Sequence, residues 1–312
     1  MSTFSAPHFT SDQAAREYLE GLFWPDGPVC CHCGTINHAY ATKRPGVYRC
    51  AEAECRKDFT VTMRTVMERS KIALHKWLQA FHLMCSSKKG VSAHQLHRTL
   101  GIGYEAAWFM AHRIREAMRD GGLAPLGGGG GIVEADETYL WSTEKPIPRS
   151  RGRIPKPTKR GKSGPADKRA IVSLVERGGR VRSFHPANAD GASVAQIVRE
   201  NIERETRLHT DESKLYIKVG AEFSAHETVR HSGKEYVRGD VHTNTVEGYF
   251  SIFKRGMKGV YQHCKEKHLH RYLAEYDFRY NHRTKLGFND SERAALAVKG
   301  AAGKRLTYRG PH

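Results

Sequence analysis

The sequence has no apolar run approaching the roughly 20 residues that cross a bilayer as a helix, which argues against a membrane-spanning protein. Its first residues, MSTFSAPHFTSDQAAREYLE, lack the basic start and apolar core of a secretory signal. Acidic residues are also in deficit: 33 Asp and Glu stand against 51 Lys and Arg, a formal charge of +18 at pH 7. A surplus of that size favours a polyanionic partner, nucleic acid or an anionic membrane surface. Cysteine is sparse and odd in number, seven in 312 residues, and four of the seven fall in close pairs. That speaks against a disulfide framework and for metal binding in a reducing compartment. Nucleic acid is then the expected partner and the cytoplasm the expected location. No internal repeat is present. With 39% hydrophobic and 27% charged residues, the chain suits a soluble globular protein of one large or two ordinary domains.

Composition divides the chain. Residues 1–65 hold the paired cysteines, 66–120 form a helical segment, and 121–131, GGLAPLGGGGG, form a glycine-rich linker expected to be flexible. Residues 132–290 alternate strand-like and helical stretches, and 291–312 are left as a C-terminal tail. The segment 141–168 is rich in Pro, Lys and Arg and poor in apolar residues, so it is expected to bury no core and to order only on DNA, if at all.

Cys30 and Cys33 make a C-x2-C knuckle followed by Gly34; Cys50 and Cys55 make a wider C-x4-C pair. Two tight turns offering two thiolates each suit tetrahedral Zn²⁺ in a structural ribbon. Cys31 lies inside the first knuckle and competes with Cys30 for the role. Cys85 and Cys264 stand alone and read as buried thiols.

In residues 70–120, Leu74, Trp77, Leu78, Phe81 and Met84 have helical periodicity. Ser92 starts a short helix that Leu100-Gly101 ends, and Gly103-Tyr104 leads into a third helix. Short helix, glycine turn and basic helix outline a helix-turn-helix. Lys88, Lys89, Arg98, His112, Arg113 and Arg115 are candidates to meet phosphates, against the plainer alternative of a solvated basic face. His82, His94 and His97 read as surface residues.

Farther on, a strand at 131–136 ends in Asp136. Residues 169–176 and 180–185 flank Arg177-Gly178-Gly179 as a hairpin, and 190–204 read as a helix capped by Asp190. A short strand at 206–210 runs into Asp211. A helix over about 244–255 carries Glu247 and Lys254, seven positions apart and so on one face. A last helix spans about 265–280, where Tyr272, Tyr276 and Tyr280 read as core. Two strand-end aspartates and a later helical glutamate make the carboxylate set of an RNase H-like nuclease, which holds two divalent metals. Glu134 shares a strand face with Asp136 and is a rival, and Glu212 rivals Asp211. His242 and Asn244 precede the helix and either cap it or approach DNA.

CCHCG, YRCAEAEC, DFTVTMRTVMERSKIALHKWLQAFHLM, VEADETYL, HTDES and HSGKEYVRGDVHTNTVEGYFSIFKRGMKGVY together resemble bacterial insertion-sequence transposases of the DDE type, in the group with an N-terminal zinc ribbon. The likeness covers about residues 25–290. It implies an α/β, RNase H-like mixed sheet with flanking helices, preceded by the ribbon and a helix-turn-helix-like DNA-binding segment. It assigns Asp136, Asp211 and Glu247 to the catalytic triad; hard oxygen ligands suit Mg²⁺ (or Mn²⁺), and we expect Asp136 to bridge two ions and the other two each to hold one. Lys254 is expected at a phosphate near the cut, and Lys88, Lys89, Arg98, Arg113, His242, Asn244 and Arg255 are further DNA contacts. The resemblance implies cutting of transposon ends, joining to target DNA, a homo-oligomer on double-stranded DNA and a nucleoid-associated, bacterial setting. A regulator that has lost catalysis and a nuclease that cuts without joining are the competing functions.

Overall fold

A computed structural model describes residues 3–121, 124–142 and 168–307. They divide into two units, Met1–Asp120 with His282–His312, and Gly121–Asn281. Most of the segment 141–168 lies outside the described residues.

The first unit begins with helix α1, Asp12–Phe23, where Ser11 accepts the Ala14 amide. A three-stranded antiparallel ribbon follows: β1 Ala39–Ala41, β2 Tyr48–Cys50 and β3 Asp58–Phe59. It is too small for a large core. Buried Phe59, Cys30 and Cys50 are covered by Trp24 and Tyr48. Helix α2, Leu74–Ser86, buries Trp77, Leu78, Phe81 and Met84 of the predicted apolar stripe and leaves Leu74 half-buried. Helix α3, Ala93–Leu100, is capped by Ser92 and stopped by left-handed Gly101 (φ 59°), a position that suits glycine. Helix α4 spans Tyr104–Met118.

The second unit is built on a five-stranded mixed sheet. Its strands are β4 Ile132–Ser142, β5 Lys168–Glu176, β6 Val181–Phe184, β7 Arg207–Thr210 and β8 Ala225–Thr228, in the order β6-β5-β4-β7-β8. The β4–β5 and β5–β6 pairs are antiparallel; β4–β7 and β7–β8 are parallel. A small hairpin, β9 Val237–Arg238 with β10 Val241–His242, follows β8. Helices α5 Gly191–Asn201 and α6 Ile217–Gly220 belong to the core formed with Val133, Val172 and Leu174. Helices α7 Asn244–Gly256 and α8 Leu269–Asn281 belong to the other, with Leu140, Ile171 and Val175. The alternation of Ile171, Val172, Leu174 and Val175 between two cores is the period-2 signature of a strand buried on both faces. The exposed edge of β6 is covered by side chains: Asn281 brackets Val181 N and O at 2.7 and 3.0 Å, and Asp277 accepts Ser183 N at 2.8 Å. The sheet is the expected α/β mixed sheet with flanking helices.

Two expectations are corrected. The run 124–131 is no flexible linker: Leu126 is buried, its amide donates to Asn201 O, and its carbonyl accepts Glu203 N. A Cβ on Gly127 would lie 2.1 Å from Thr206 Oγ1 at φ +81°, so glycine is needed for the close approach. The C-terminal tail holds a further helix, α9 Asp290–Lys299, opened by an Asn289/Glu292 capping box. It folds with the first unit, where Arg293 donates to Cys85 O at 3.0 Å and Val66 N to Ala301 O at 3.3 Å.

Candidate active site and metal centres

The ribbon knuckles fold back on themselves. Gly34, at φ 83°, donates to Cys30 O, and Cys55 N donates to Glu52 O. The turns bring the Cys30, Cys33, Cys50 and Cys55 sulfurs within 4.8 Å of one another, with Cys30–Cys55 at 3.7 Å and Cys33–Cys50 at 3.6 Å. Hydrogen bonds from the Thr35 side chain and backbone pull the Cys33 thiol down to about 6, toward the thiolate a metal needs. Cys31 stays outside the group, and burial raises its thiol. Four soft donors closing on one point fit zinc in a structural site.

The second cluster is made of oxygen donors. β4 outruns its parallel neighbour: the β4–β7 register ends at Glu134↔His209, β7 stops at Thr210, and β4 continues to Ser142. Asp136 lies within β4, not at a strand end, while Asp211 does follow directly on β7. β4 thus runs on past the end of β7, and Asp136 and Glu137 lie in that extension. Asp136, Glu137 and Asp211 there each offer an oxygen within 4.8 Å of the others. Burial, then the charges of Asp211 and Glu137, then that of Glu247, push the Asp136 carboxyl up to about 8. Glu137 is also raised by burial and by Asp211, opposed by hydrogen bonds from Tyr216 OH (3.0 Å) and Ser213 Oγ (3.3 Å). Hard oxygen donors crowded with like charge fit Mg²⁺ or Mn²⁺ and do not fit a thiophilic ion.

Glu247 occupies the first turn of α7, is 46% exposed, and accepts from Thr243 Oγ1 at 3.1 Å. It is not one of the three close carboxylates, but its charge is felt at Asp136. Lys254 leaves the same helix. Burial lowers its pKa and the Asp136 charge opposes that shift.

The rivals have other work. Glu134 is 0% exposed and accepts from Thr245 N (2.8 Å), Val246 N (3.1 Å), Thr245 Oγ1 (2.8 Å) and Arg177 Nε and Nη2 (3.0 and 2.8 Å). It ties the start of α7 to the strand that carries Asp136, where the helix dipole favours a carboxylate. Glu212 accepts from Ser232 N and Oγ at 3.0 and 2.7 Å.

Residues 128–281 match the ISXO2-like transposase domain, and residues 10–58 match the transposase zinc-ribbon domain. The "uncharacterized protein in transposable element ISH50" of Halobacterium salinarum is 30% identical over 259 residues, 79% of this chain and 83% of its own length. The chain belongs to the ISXO2-like transposase family. Two solved Mos1 assemblies, a strand transfer complex and a pre-cleavage transpososome, align at 12% identity and TM-score 0.28. They cover 74% and 71% of this chain and 79% and 73% of theirs.

In this transposase the four cysteines fall in the matched ribbon, and Asp136, Asp211, Glu247 and Lys254 in the matched transposase domain. The candidate DNA contacts fare unequally. Lys88, Lys89 and Arg98 are exposed beside and on α3, and Arg255 is exposed on α7, bonded to Ser251. Arg113 is buried: it donates to Glu68 O (2.8 Å) and Leu306 O (3.2 Å) and lies over the Phe109 ring. That corrects its assignment to DNA, and buried His112 and Arg115 follow it. The basic face of α4 is thus interior. His242 Nδ1 lies 3.2 Å from Glu134 Oε1, in the α7 anchor. Asn244 is exposed as the first residue of α7; Thr243 holds the N-cap position, without a side-chain cap bond. His82 is buried, not a surface residue. Glu137, in the carboxylate group, and Arg177, paired with Glu134, are candidate-site residues to which the sequence assigned no role. The signal for Glu137 was the Asp-Glu doublet on a strand whose neighbour stops short.

Proposed function

We propose that this transposase cuts its element's DNA ends and joins the exposed 3′-OH to target DNA by phosphoryl transfer. One observation carries the reading: Asp136 and Glu137 of β4 and Asp211 after β7 each offer an oxygen within 4.8 Å of the others, with Glu247 in the first turn of α7. Gathering like charge in a partly buried place destabilises a fold unless cations offset it. Asp136, Asp211 and Glu247 would hold a pair of Mg²⁺ or Mn²⁺ ions, with Glu137 as a further ligand. Bound there, the ions supply charge neutralisation at the attacking and leaving oxygens. Thr243 orients Glu247, and Tyr216 and Ser213 orient Glu137. Lys254 meets a phosphate beside the cut.

The thiol set holds a structural Zn²⁺. Lys88, Lys89 and Arg98 contact the double-stranded DNA of ends and target, and the chain works as a homo-oligomer on paired ends, in the cytoplasm with its DNA. Among the described residues no helix is long and apolar enough to cross a membrane. A binding regulator without catalysis is the second reading; it leaves the carboxylate cluster without a use. The test is a cleavage and strand-transfer assay on the element's own ends in Mg²⁺, beside Glu247→Gln. The proposal expects cut and joined products from the intact chain and bound, uncut DNA from the variant. Equal binding and no products from either would favour the regulator, and cut ends without joined products a nuclease.

A further inference from the structure

The β9–β10 hairpin carries an aromatic surface that the catalytic machinery does not use. Its turn is Gly239-Asp240, with Gly239 at φ 62°. One strand is tied down: Val241 is buried, Asp240 accepts from Arg207 Nη1 at 2.8 Å, and His242 joins the Glu134 anchor. The other faces outward. Tyr236 is 57% and Val237 51% exposed, and they are two of the six exposed large hydrophobics among the described residues. The two are adjacent in sequence, so the exposure is concentrated. Exposed Arg230, Lys234 and Arg238 lie along the same segment.

The surface is connected to the active site by one side chain. The Tyr236 ring lies 5.3 Å from the His231 ring at 34°, and His231 Nε2 lies 3.6 Å from Glu247 Oε1. A phosphodiester held at the carboxylates has its bases displaced to one side or the other of the metal-binding oxygens. A flat, exposed aromatic one imidazole away, flanked by cations, has the chemistry to receive such a base: the ring stacks on it and the cations meet neighbouring phosphates. A bare phosphate would need the cations and not the ring.

We propose that Tyr236, with Val237, is a stacking platform for a nucleobase of the DNA end at the cut. The inference rests on the transposase reading above. The exposed position means that Tyr236→Ala removes a ring without opening a core, and Tyr236→Phe keeps the ring.

The experiment measures binding and cutting of the element's end duplex, intact or abasic at the nucleotide next to the cut, by wild type, Tyr236→Ala and Tyr236→Phe. On intact DNA, Tyr236→Ala should lose about 5- to 150-fold, the range stacking on one base covers, and Tyr236→Phe should stay close to wild type. On abasic DNA, wild type should fall to the level of Tyr236→Ala, which should fall no further. An equal loss on both DNAs, or no loss, overturns the platform while normal wild-type cutting leaves the transposase reading intact. A loss accompanied by a changed oligomeric state in sedimentation also overturns it, in favour of a contact between copies. A wild type that neither binds nor cuts the end overturns both.

Discussion

The thiol cluster of the ribbon and the carboxylate cluster of the sheet are both ready for metal, but they are assembled in opposite ways. The four cysteines come from two local turns inside 26 residues, Cys30 to Cys55. The three close carboxylates come from β4 and the end of β7, with Asp136 and Asp211 75 positions apart, and Glu247 of α7 lies outside that group, farther still along the chain. The first cluster holds its own backbone together, since the ribbon buries little besides Phe59. The second is held by a fold that has its own core on both sides of the sheet. Metal should therefore be a folding element in one and a reagent in the other.

The largest effect should follow zinc removal. Structural zinc is worth roughly 10–16 kcal/mol at pH 7 in small zinc domains. Chelation, or Cys33→Ser with Cys50→Ser, should erase hydrogen-exchange protection over 10–58 and leave it over 128–281. Protection that persists across the ribbon would break the comparison. Asp136→Asn, Asp211→Asn and Glu247→Gln should do the reverse. Each should slow cutting by about 10³-fold or more, since metal charge stabilisation is worth several kcal/mol, with the unfolding curve of the catalytic unit not destabilised. A variant that unfolds instead would make the carboxylates structural.

Between these lies the Glu134–Arg177 pair, which belongs to the fold and serves the site. Breaking a buried pair costs about 3–5 kcal/mol, so Arg177→Met should lower denaturant stability by that order and slow cutting through a loosened α7. Stability unchanged alongside normal cutting would remove the anchor from the account. The smallest effect concerns Asp277, which accepts from Tyr249 of α7 and from Ser183 of β6. Burial pushes its carboxyl up to about 6. A raised carboxyl contributes stability that is present below about pH 4 and is lost as pH rises through about 6. The gap between wild type and Asp277→Asn should change across that window by about 3 kcal/mol at most, read from melts at pH 4 to 7. A constant gap would mean that Asp277 does not titrate there.

The contrast between the clusters also explains what was legible in the sequence. The ribbon ligands are a spacing pattern, and spacing survives without a fold. Local signals likewise located α3 between Ser92 and Gly101 and α5 after Asp190, because caps act within one turn. Asp211 was legible because a short strand stops just before it. Glu137 was not, because its role depends on β7 ending beside it, which is a property of the sheet. Arg113 misled for a related reason: charge suggests a surface, but two backbone carbonyls and two aromatic rings give a guanidinium an interior place. The glycine run misled because composition reports freedom in the unfolded chain. The need for Gly127 is a contact with Thr206, 79 positions on.

The most direct test of the central claim is anomalous diffraction from crystals of the intact chain grown with Zn²⁺ and soaked in Mn²⁺, collected at both absorption edges. The account predicts zinc signal among Cys30, Cys33, Cys50 and Cys55, and manganese signal against Asp136 and Asp211, the latter lost in Asp136→Asn. Manganese found elsewhere, or retained in full by that variant, would contradict it.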